Sequence, residues 1–265
     1  MNEKVARLRA QLRAHAPLVI AYSGGVDSAY LLAEAHECLG AQVLGVIADS
    51  PSLPRQALAD ALALAEKIGA QVEVVRTDEL ANPAYAANPP NRCYFCKAEL
   101  FTKLDALAPA RGFRAIAYGE NADDMMQVRP GRQAAAEFSI IAPLRDAGLT
   151  KAEIRELSRT LDLPTADAPA QPCLSSRIPH GTPVTTAALA MIERSEAHVR
   201  SLGFRIFRVR HIAGDSAAPR ARVQIAPDEM PRLPRVARDL ETGLLAAGYS
   251  AVEIDPAGYR SAPPL

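Results

Sequence analysis

The first residues with a spacing suited to chemistry are two glycines followed by an acid and flanked by two serines. Ser23-Gly24-Gly25-Val26-Asp27-Ser28, called here the SGG loop, lies between an apolar run and a segment of helical periodicity. Glycines let a backbone approach a phosphate closely, and a helix N-terminus supplies N–H groups and a positive dipole end. The SGG loop is therefore predicted to bind a pyrophosphate. It matches neither the P-loop pattern GxxxxGKS/T nor GxGxxG.

Thiols form the second candidate group. Cys93 and Cys96 have CxxC spacing in a Pro-rich and Asn-rich insertion, 79–101, which is predicted to be an irregular functional loop. Four cysteines in 265 residues are too few for a disulfide scaffold, so the pair indicates metal or sulfur chemistry, with a zinc knuckle or chance spacing as the alternatives. Cys38 falls on the apolar side of a predicted helix and is interpreted as a structural residue.

The elements that must position these residues alternate between strand and helix patterns. This order predicts an α/β fold, a Rossmann-like parallel sheet covered by helices on both faces. A capping-box pattern from Thr150 to Glu153 predicts the last helix of this domain. The predicted strands are 17–22, 41–48, 71–76 and 113–119, and the predicted helices are 27–38, 54–69 and 150–159.

A Pro-rich stretch at about 162–172 interrupts this periodicity and predicts a domain boundary. The first domain is then 1–165, and the second is 173–265, a smaller α+β domain. The second domain is predicted to contain helices at 185–202 and about 229–247 and strands at 204–212, 219–226 and 249–255.

Charge is distributed unevenly although its sum is zero, with 30 basic and 30 acidic residues. Between Arg177 and Arg238 there are 11 Arg and 5 acidic residues, a net charge of +6 that leaves −6 elsewhere. The C-terminal third is thus suited to binding anions, although a solvated basic face would give the same count. No long apolar run or secretory leader pattern is present, which predicts a cytoplasmic protein without a membrane partner.

Together with the SGG loop, three further segments carry a resemblance to a known family. They are NPPNRCYFCK at 88–97, YGENADD at 118–124 and PCLSSRIPHGTPVT at 172–185. Over about residues 5–255 the chain resembles the LarE family, ATP-dependent sulfur transferases of the PP-loop ATP pyrophosphatase superfamily. The resemblance implies a fold of the adenine nucleotide alpha hydrolase type. It also implies ATP and Mg²⁺, and a small-molecule substrate, pyridinium-3,5-biscarboxylic acid mononucleotide. Its carboxylates would become thiocarboxylates through an acyl-adenylate, in nickel-pincer nucleotide synthesis.

The resemblance also implies roles for individual residues. Asp27 would be either a Mg²⁺ ligand or a first-turn acid, and Lys97 either a stabiliser of the acyl-adenylate or a solvated lysine. His180 stands where relatives often have an aromatic residue and is interpreted as a surface variation. The implied nucleotide-binding residues are Ser23, Gly24, Gly25, Val26, Asp27, Ser28, Gly119 and Asp123 or its neighbour Asp124, although those two acids could equally form a plain turn. The implied catalytic residues are Cys173, Asp27 and Lys97. The implied ligands of the substrate phosphate are Arg177, Arg208, Arg210 and, more weakly, Glu196.

The resemblance leaves two sources of sulfur. In some family members the cysteine matching Cys173 gives up its own sulfur. In others, three cysteines at the places of Cys93, Cys96 and Cys173 resemble ligands of a 4Fe–4S cluster with one iron open for a sulfide. Because this sequence has all three, the cluster is predicted, and a homo-oligomer is predicted from the family.

Three other functions are alternatives for this sequence. A tRNA-thiolating enzyme of the same superfamily would need a basic surface with exposed aromatics, which a pI near 7.0 and 5% aromatic residues disfavour. A glutamine-fed amidotransferase is disfavoured because this length leaves no room for a glutaminase domain. A non-catalytic nucleotide-binding sensor on the same fold is the alternative from another class.

Overall fold

The computed structural model describes residues 2–126, 130–169, 171–213 and 218–259. None of the helices within these ranges has the length and apolar character needed to cross a membrane. The helices are α1 Asn2–Ala14, α2 Val26–Leu39, α3 Arg55–Ile68, α4 Pro83–Ala86, α5 Arg92–Ala110, α6 Pro130–Glu137, α7 Pro143–Asp146, α8 Lys151–Thr160, α9 Thr186–Ser201 and α10 Leu233–Ala246. The strands are β1 Leu18–Ala21, β2 Val43–Asp49, β3 Val72–Arg76, β4 Ala115–Tyr118, β5 Phe207–Ile212, β6 Arg220–Ile225 and β7 Ala251–Ile254.

The chain divides into two compact units. The first consists of Met1–Glu79 and Asn91–Gln171, and the second of Leu80–Pro90 and Pro172–Leu265. The insertion between β3 and β4 is therefore split, and Leu80–Pro90 belongs to the second unit although it lies inside the predicted range 1–165. The prediction of an irregular loop is wrong for its second half, since α5 is a 19-residue helix that contains the CxxC pair. Residues 92–110 contain no glycine, and their four Ala, three Leu and two Lys favour helix.

The first unit is built on a four-stranded sheet in the order β3-β2-β1-β4, with every neighbouring pair parallel. Side chains of β1 alternate between two cores. Leu18 and Ile20 pack in the core that includes α1, α2, α3 and α8, whereas Val19 packs with Phe101 and Leu104 of α5 on the other face. The predicted Rossmann-like α/β fold is therefore confirmed.

Strand order places the two predicted nucleotide-binding segments at one edge of this sheet. The chain runs from β1 outward through β2 to β3 and then returns to the other side of β1 to form β4. Such a reversal opens a crevice at the carboxyl ends of β1 and β4, where open α/β sheets bind ligands. The SGG loop follows β1 and residues 119–126 follow β4, so both segments leave the sheet at this crevice.

The second unit has a three-stranded sheet in the order β5-β6-β7, with β5 and β6 antiparallel and β6 and β7 parallel. Alternation along β5 buries Phe207 and Val209 in a core that also contains Leu240 and Leu244 of α10. The same alternation sends Arg208 and Arg210 together to the other face of the sheet. This is the small α+β unit that the sequence predicts.

Candidate active site

The conformation of the SGG loop depends on its first glycine. Gly24 has a φ of +74°, and a Cβ atom added there would lie 2.6 Å from the Cβ of Ala61 in α3. Gly25 caps α2 with an extended backbone and no side-chain hydrogen bond, so a ligand can reach the first N–H groups of the helix. Val26, one of the implied nucleotide-binding residues, is the first residue of α2, and its side chain is buried in the core.

The two serines close the loop on itself. The hydroxyl oxygens of Ser23 and Ser28 are 3.0 Å apart, and the Ser23 N–H donates to Ser28 Oγ at 3.2 Å. Ser28 Oγ in turn donates to the carbonyl oxygen of Gly25 at 3.1 Å. The structure thus gathers the predicted pyrophosphate-binding groups into one hydrogen-bonded turn at the start of α2.

Gly119 allows the carboxyl end of β4 to approach the SGG loop. A Cβ atom at this position would lie 2.7 Å from the backbone nitrogen of Ser28 and 3.0 Å from its Cα. These neighbours are backbone atoms, which cannot rotate away as a side chain can. Gly119 therefore lies beside the SGG loop, where the nucleotide is predicted to bind.

Asp27 is held by a lysine that the sequence analysis missed. Lys151 Nζ lies 2.9 Å from Asp27 Oδ1 and 2.8 Å from Oδ2, and Asn121 Nδ2 donates to Oδ2 at 3.3 Å. Lys151 is the first residue of α8, whose start is fixed by the predicted capping box of Thr150 and Glu153. The capping box was the only sequence signal here, and it predicts where a helix begins but not which residues it meets.

The acidic turn after β4 is organised by Asn121. The Asp123 N–H donates to Asn121 Oδ1 at 2.9 Å, and the buried Asp124 accepts from the Asn121 N–H at 3.2 Å. Asp123 is exposed and its Oδ2 accepts from the backbone N–H of Lys151 at 2.8 Å. Of the two acids considered, Asp123 thus lies at the surface of the site and Asp124 inside the turn.

Glu120 is a further buried acid that the sequence analysis did not select. It is 3% exposed and accepts from Arg132 Nε at 2.8 Å, Arg145 Nη1 at 2.7 Å and the Tyr118 hydroxyl at 2.6 Å. Burial alone would raise the pKa of Glu120, but the hydrogen bonds from Tyr118 and Arg132 and the charges of both arginines lower it below its ordinary value. Glu120 is therefore anionic at neutral pH and fixes two cations at the end of β4.

Lys97 is half-buried and projects from α5 toward this same end of β4. Its Nζ lies 4.5 Å from the centre of the Tyr118 ring, a cation–π contact. A Cβ atom on Gly131 would lie 2.5 Å from Lys97 Cδ, so the lysine stem fills the space that this glycine leaves. Lys97 is therefore not the fully solvated lysine that was the alternative interpretation.

Cys93 and Cys96 lie in the first turns of α5, where a helix dipole favours thiolates. Three residues apart, they share one side of the helix; Cys93 is exposed and Cys96 is half-buried. Cys38 is half-buried on α2, and burial raises the pKa of its thiol. Within the described part of either unit, no three Cys, His, Asp or Glu residues are grouped as a metal site. The three-cysteine cluster thus stays a prediction.

In the second unit, Arg177 forms a buried bidentate ion pair with Glu196. Nε and Nη2 of Arg177, which is 3% exposed, lie 2.8 Å from Oε1 and Oε2 of Glu196. Nη1 donates to the carbonyl oxygens of Pro172 at 2.7 Å and Cys173 at 3.0 Å. Arg177 thereby ties the half-buried Cys173 to α9.

Arg208 and Arg210 extend this group of cations. Arg210 hydrogen-bonds to neutral oxygens, Gln224 Oε1 and the Ser176 carbonyl, both at 2.8 Å. Arg208 Cζ lies 4.6 Å from the centre of the Tyr259 ring. Burial, followed by the charge of Arg177, lowers the pKa of both residues. Positive charges that disfavour one another in this way would be stabilised by a bound anion.

The segment Leu80–Pro90 holds the loop that follows Cys173. Asn88 has a φ of +57° and no exposed surface, and its Nδ2 donates to the carbonyl oxygens of Pro179 and Thr182, both at 2.8 Å. The Tyr85 hydroxyl lies 2.7 Å from Ser175 Oγ. His180 is exposed on this loop, in line with its interpretation as a surface variation.

Comparison with known proteins gives the family. No protein-family model matches the chain. An uncharacterized protein of Synechocystis sp. is 42% identical over 248 residues, 92% of this chain and 90% of that protein. An uncharacterized protein of Methanocaldococcus jannaschii is 30% identical over 196 residues, 73% of each chain. The pyridinium-3,5-bisthiocarboxylic acid mononucleotide synthase of Lactiplantibacillus plantarum is 32% identical over 262 residues, 97% of this chain and 92% of the synthase. The chain belongs to the LarE family of sulfur transferases.

This LarE-family enzyme divides its predicted site residues between its two units. The first unit brings together the SGG loop, Gly119 and Asp123, and it also carries Lys97, Cys93 and Cys96. The second unit brings together Cys173, Arg177, Glu196, Arg208 and Arg210. Lys151, Asn121 and Glu120 are the site residues that sequence reasoning did not find.

Proposed function

We propose that the chain uses ATP to adenylate a carboxylate of pyridinium-3,5-biscarboxylic acid mononucleotide and replaces the activated oxygen with sulfur. The products are a thiocarboxylate for nickel-pincer nucleotide synthesis, AMP and pyrophosphate. The observation that carries this proposal is the placement of Arg208 and Arg210 on one face of β5, near Arg177, whose own guanidinium is paired with Glu196. A mononucleotide carries one phosphate, for which guanidinium groups are the preferred ligands. The name of the Lactiplantibacillus relative supports the same substrate class.

The first step would activate a group that otherwise resists nucleophiles because it is anionic. A carboxylate oxygen attacks the α-phosphorus of ATP, and the bond from that phosphorus to the bridging oxygen breaks. Pyrophosphate leaves with the electron pair of that bond. The N–H groups at the start of α2 and the hydroxyls of Ser23 and Ser28 would stabilise its charge.

Asp27 and the exposed Asp123 are hard oxygen ligands of the type that Mg²⁺ prefers. Both carboxylate oxygens of Asp27 accept from Lys151, so Asp27 can serve a metal only if it shares or gives up that contact. When bound, Mg²⁺ would neutralise part of the negative charge of the phosphates. Lys97, beside Tyr118, is proposed to stabilise negative charge on the acyl-adenylate.

The second step would break the bond between the acyl carbon and the adenylate oxygen as sulfur attacks, and AMP leaves with that electron pair. We propose that Cys93, Cys96 and Cys173 hold a 4Fe–4S cluster, because thiolates are the preferred ligands of iron–sulfur clusters. When bound, the cluster supplies sulfide as the nucleophile. The position of Cys93 and Cys96 at the start of α5 favours the thiolate form that this ligation requires.

The test uses the full-length protein purified without oxygen and given ATP, Mg²⁺ and sulfide. Pyrophosphate and the mass of the mononucleotide are followed with and without pyridinium-3,5-biscarboxylic acid mononucleotide. We expect pyrophosphate release that requires the dicarboxylate, together with thiocarboxylate product. Release stimulated by tRNA and not by the dicarboxylate would identify a tRNA-thiolating enzyme, and nucleotide binding without release under either condition would identify a sensor.

A further inference from the structure

Lys151 places an ammonium group at the start of α2, where no motif in the sequence predicts a cation. Its Nζ contacts both carboxylate oxygens of Asp27, which is the second residue of that helix. The Lys151 side chain is 39% exposed, whereas that of Asp27 is 16% exposed. The ammonium group is thus within reach of an anion that enters from solvent and binds at the N-terminus of α2.

The main chain of Lys151 is fixed independently of this ion pair. Its N–H donates to Asp123 Oδ2 at 2.8 Å, and it begins a helix whose first turn is held by the capping box of Thr150 and Glu153. The backbone is therefore anchored on both sides of the residue. The flexible four-carbon stem is the part that can move.

A partly exposed ion pair contributes little to stability, so stability alone does not account for a lysine at this position. We propose that Lys151 is a further catalytic residue of the ATP-cleaving step and that its ammonium group moves from Asp27 to the β-phosphate of ATP. The inference rests on the proposed function in taking the anion to be the polyphosphate of ATP. Asp27 then serves to hold the lysine ready before the nucleotide binds.

The charge balance of the step fits this role. When the α-phosphorus bond breaks, its electron pair remains on an oxygen of pyrophosphate, and negative charge grows there. The proposed step transfers no proton, because Lys151 acts through its charge alone. Its ammonium group carries a full positive charge. Together with the N–H groups of α2, this charge stabilises pyrophosphate as it leaves.

Binding of inorganic pyrophosphate to the full-length protein tests the inference without any need for the sulfur acceptor. By titration calorimetry we expect Lys151→Met to bind pyrophosphate at least tenfold more weakly than wild type, and Lys151→Arg to retain affinity within about threefold. Lys67→Met is the matched control, because Lys67 also pairs with an aspartate, Asp162, but lies in the last turn of α3 away from the SGG loop. Wild-type affinity in Lys151→Met would overturn the inference.

A double variant separates this role from simple neutralisation of Asp27. If Lys151 served only to balance Asp27, then Asp27→Asn combined with Lys151→Met would restore pyrophosphate affinity. We expect no restoration, and full restoration would overturn the inference.

A second measurement uses wild-type protein and so does not depend on the folding of a variant. Pyrophosphate should slow acetylation of Lys151 by acetic anhydride at least threefold, read by peptide mass, and leave Lys67 unchanged. Unchanged acetylation of Lys151 would overturn the inference. Lysine-dependent pyrophosphate binding in a protein that fails to act on the dicarboxylate would contradict the proposed substrate and leave the role of Lys151 intact.

Discussion

The absence of a Cβ atom at two glycines allows the SGG loop and the segment after β4 to lie close together. Gly24 must adopt a positive φ against Ala61, and Gly119 must leave room for the backbone of Ser28. Neither requirement concerns a catalytic group. Both fix the position of the SGG loop at the N-terminus of α2.

Gly119→Ala tests this requirement. Its Cβ would lie 2.7 Å from Ser28 N, so we expect a loss of about 1–3 kcal/mol in the free energy of unfolding and at least tenfold weaker ATP binding. Gly112→Ala is the control, because no atom lies within 4 Å of its added Cβ. Its φ of +79° should cost about 1–2 kcal/mol and leave ATP binding unchanged. Urea denaturation and calorimetry measure both quantities, and unchanged ATP affinity in Gly119→Ala would refute the role of this glycine.

Arg208→Ala and Arg210→Ala test the anion site of the second unit. Each should remove a charge-assisted contact worth roughly 1.5–3 kcal/mol, which weakens the mononucleotide tenfold or more and leaves ATP affinity within twofold. Arg238→Ala is the control, since Arg238 is an exposed residue of α10. Separate titrations with the two ligands give the answer, and equal losses for both would assign these arginines to the wrong anion.

Among the elements, α8 has the largest influence on the site because its first residue contacts Asp27. Its start is fixed by Glu153, which accepts from the Thr150 N–H and pairs with Lys4 of α1 at 2.7 Å. The hydrogen bond from Lys4 and that from the Thr150 backbone lower the pKa of Glu153 from its ordinary value to about 2. The capping box of Thr150 and Glu153 thus positions Lys151 against Asp27.

The variant Glu153→Gln tests a predicted pH dependence of the free energy of unfolding. Because the folded pKa is depressed, the carboxylate stabilises the fold fully above its ordinary value of 4.5, and this contribution is lost as pH falls through about 2. We expect the variant to be less stable than wild type by about 1–3 kcal/mol at pH 6 and the difference to shrink as pH falls from 4.5 toward 2. Glu156→Gln, on the exposed side of the same helix, should show no such trend in urea denaturation. A difference that does not vary with pH would disprove the account.

At the scale of the whole molecule, the three cysteines proposed for the sulfur centre belong to different units. Cys93 and Cys96 begin α5 of the first unit, whereas Cys173 precedes a short 3-10 turn of the second. The two parts of the chemistry, nucleotide cleavage and substrate binding, are likewise assigned to different units. Variants of the three cysteines should therefore affect sulfur transfer without affecting the binding of ATP.

Iron content tests this assignment. Protein purified without oxygen should contain about four iron atoms per chain, and Cys93→Ala, Cys96→Ala and Cys173→Ala should each lose most of them. Cys38→Ala should retain the iron, since Cys38 is a half-buried residue of α2. Iron analysis and intact mass decide the question. Activity that survives Cys93→Ala and Cys96→Ala, with the loss of one sulfur from Cys173, would instead establish a sacrificial cysteine.

The sequence by itself determined the features that depend on neighbouring residues. Short apolar runs that alternate with helical patterns predicted all four strands of the parallel sheet, and two glycines between a strand and a helix predicted the turn that caps α2. Arg208 and Arg210 are two positions apart, so they share a face of β5. Such features follow from backbone geometry over a few residues, which the local order of amino acids specifies directly.

Only the tertiary structure decided which distant residues meet. Asp27 and Lys151 are 124 positions apart and come together because the start of α8 lies against the start of α2. Glu120 gains two arginines from helices that follow it, and Leu80–Pro90 joins the second unit through the buried Asn88. No local pattern encodes these contacts, because they depend on the order of strands in the sheet and on the packing of helices that the chain reaches only much later.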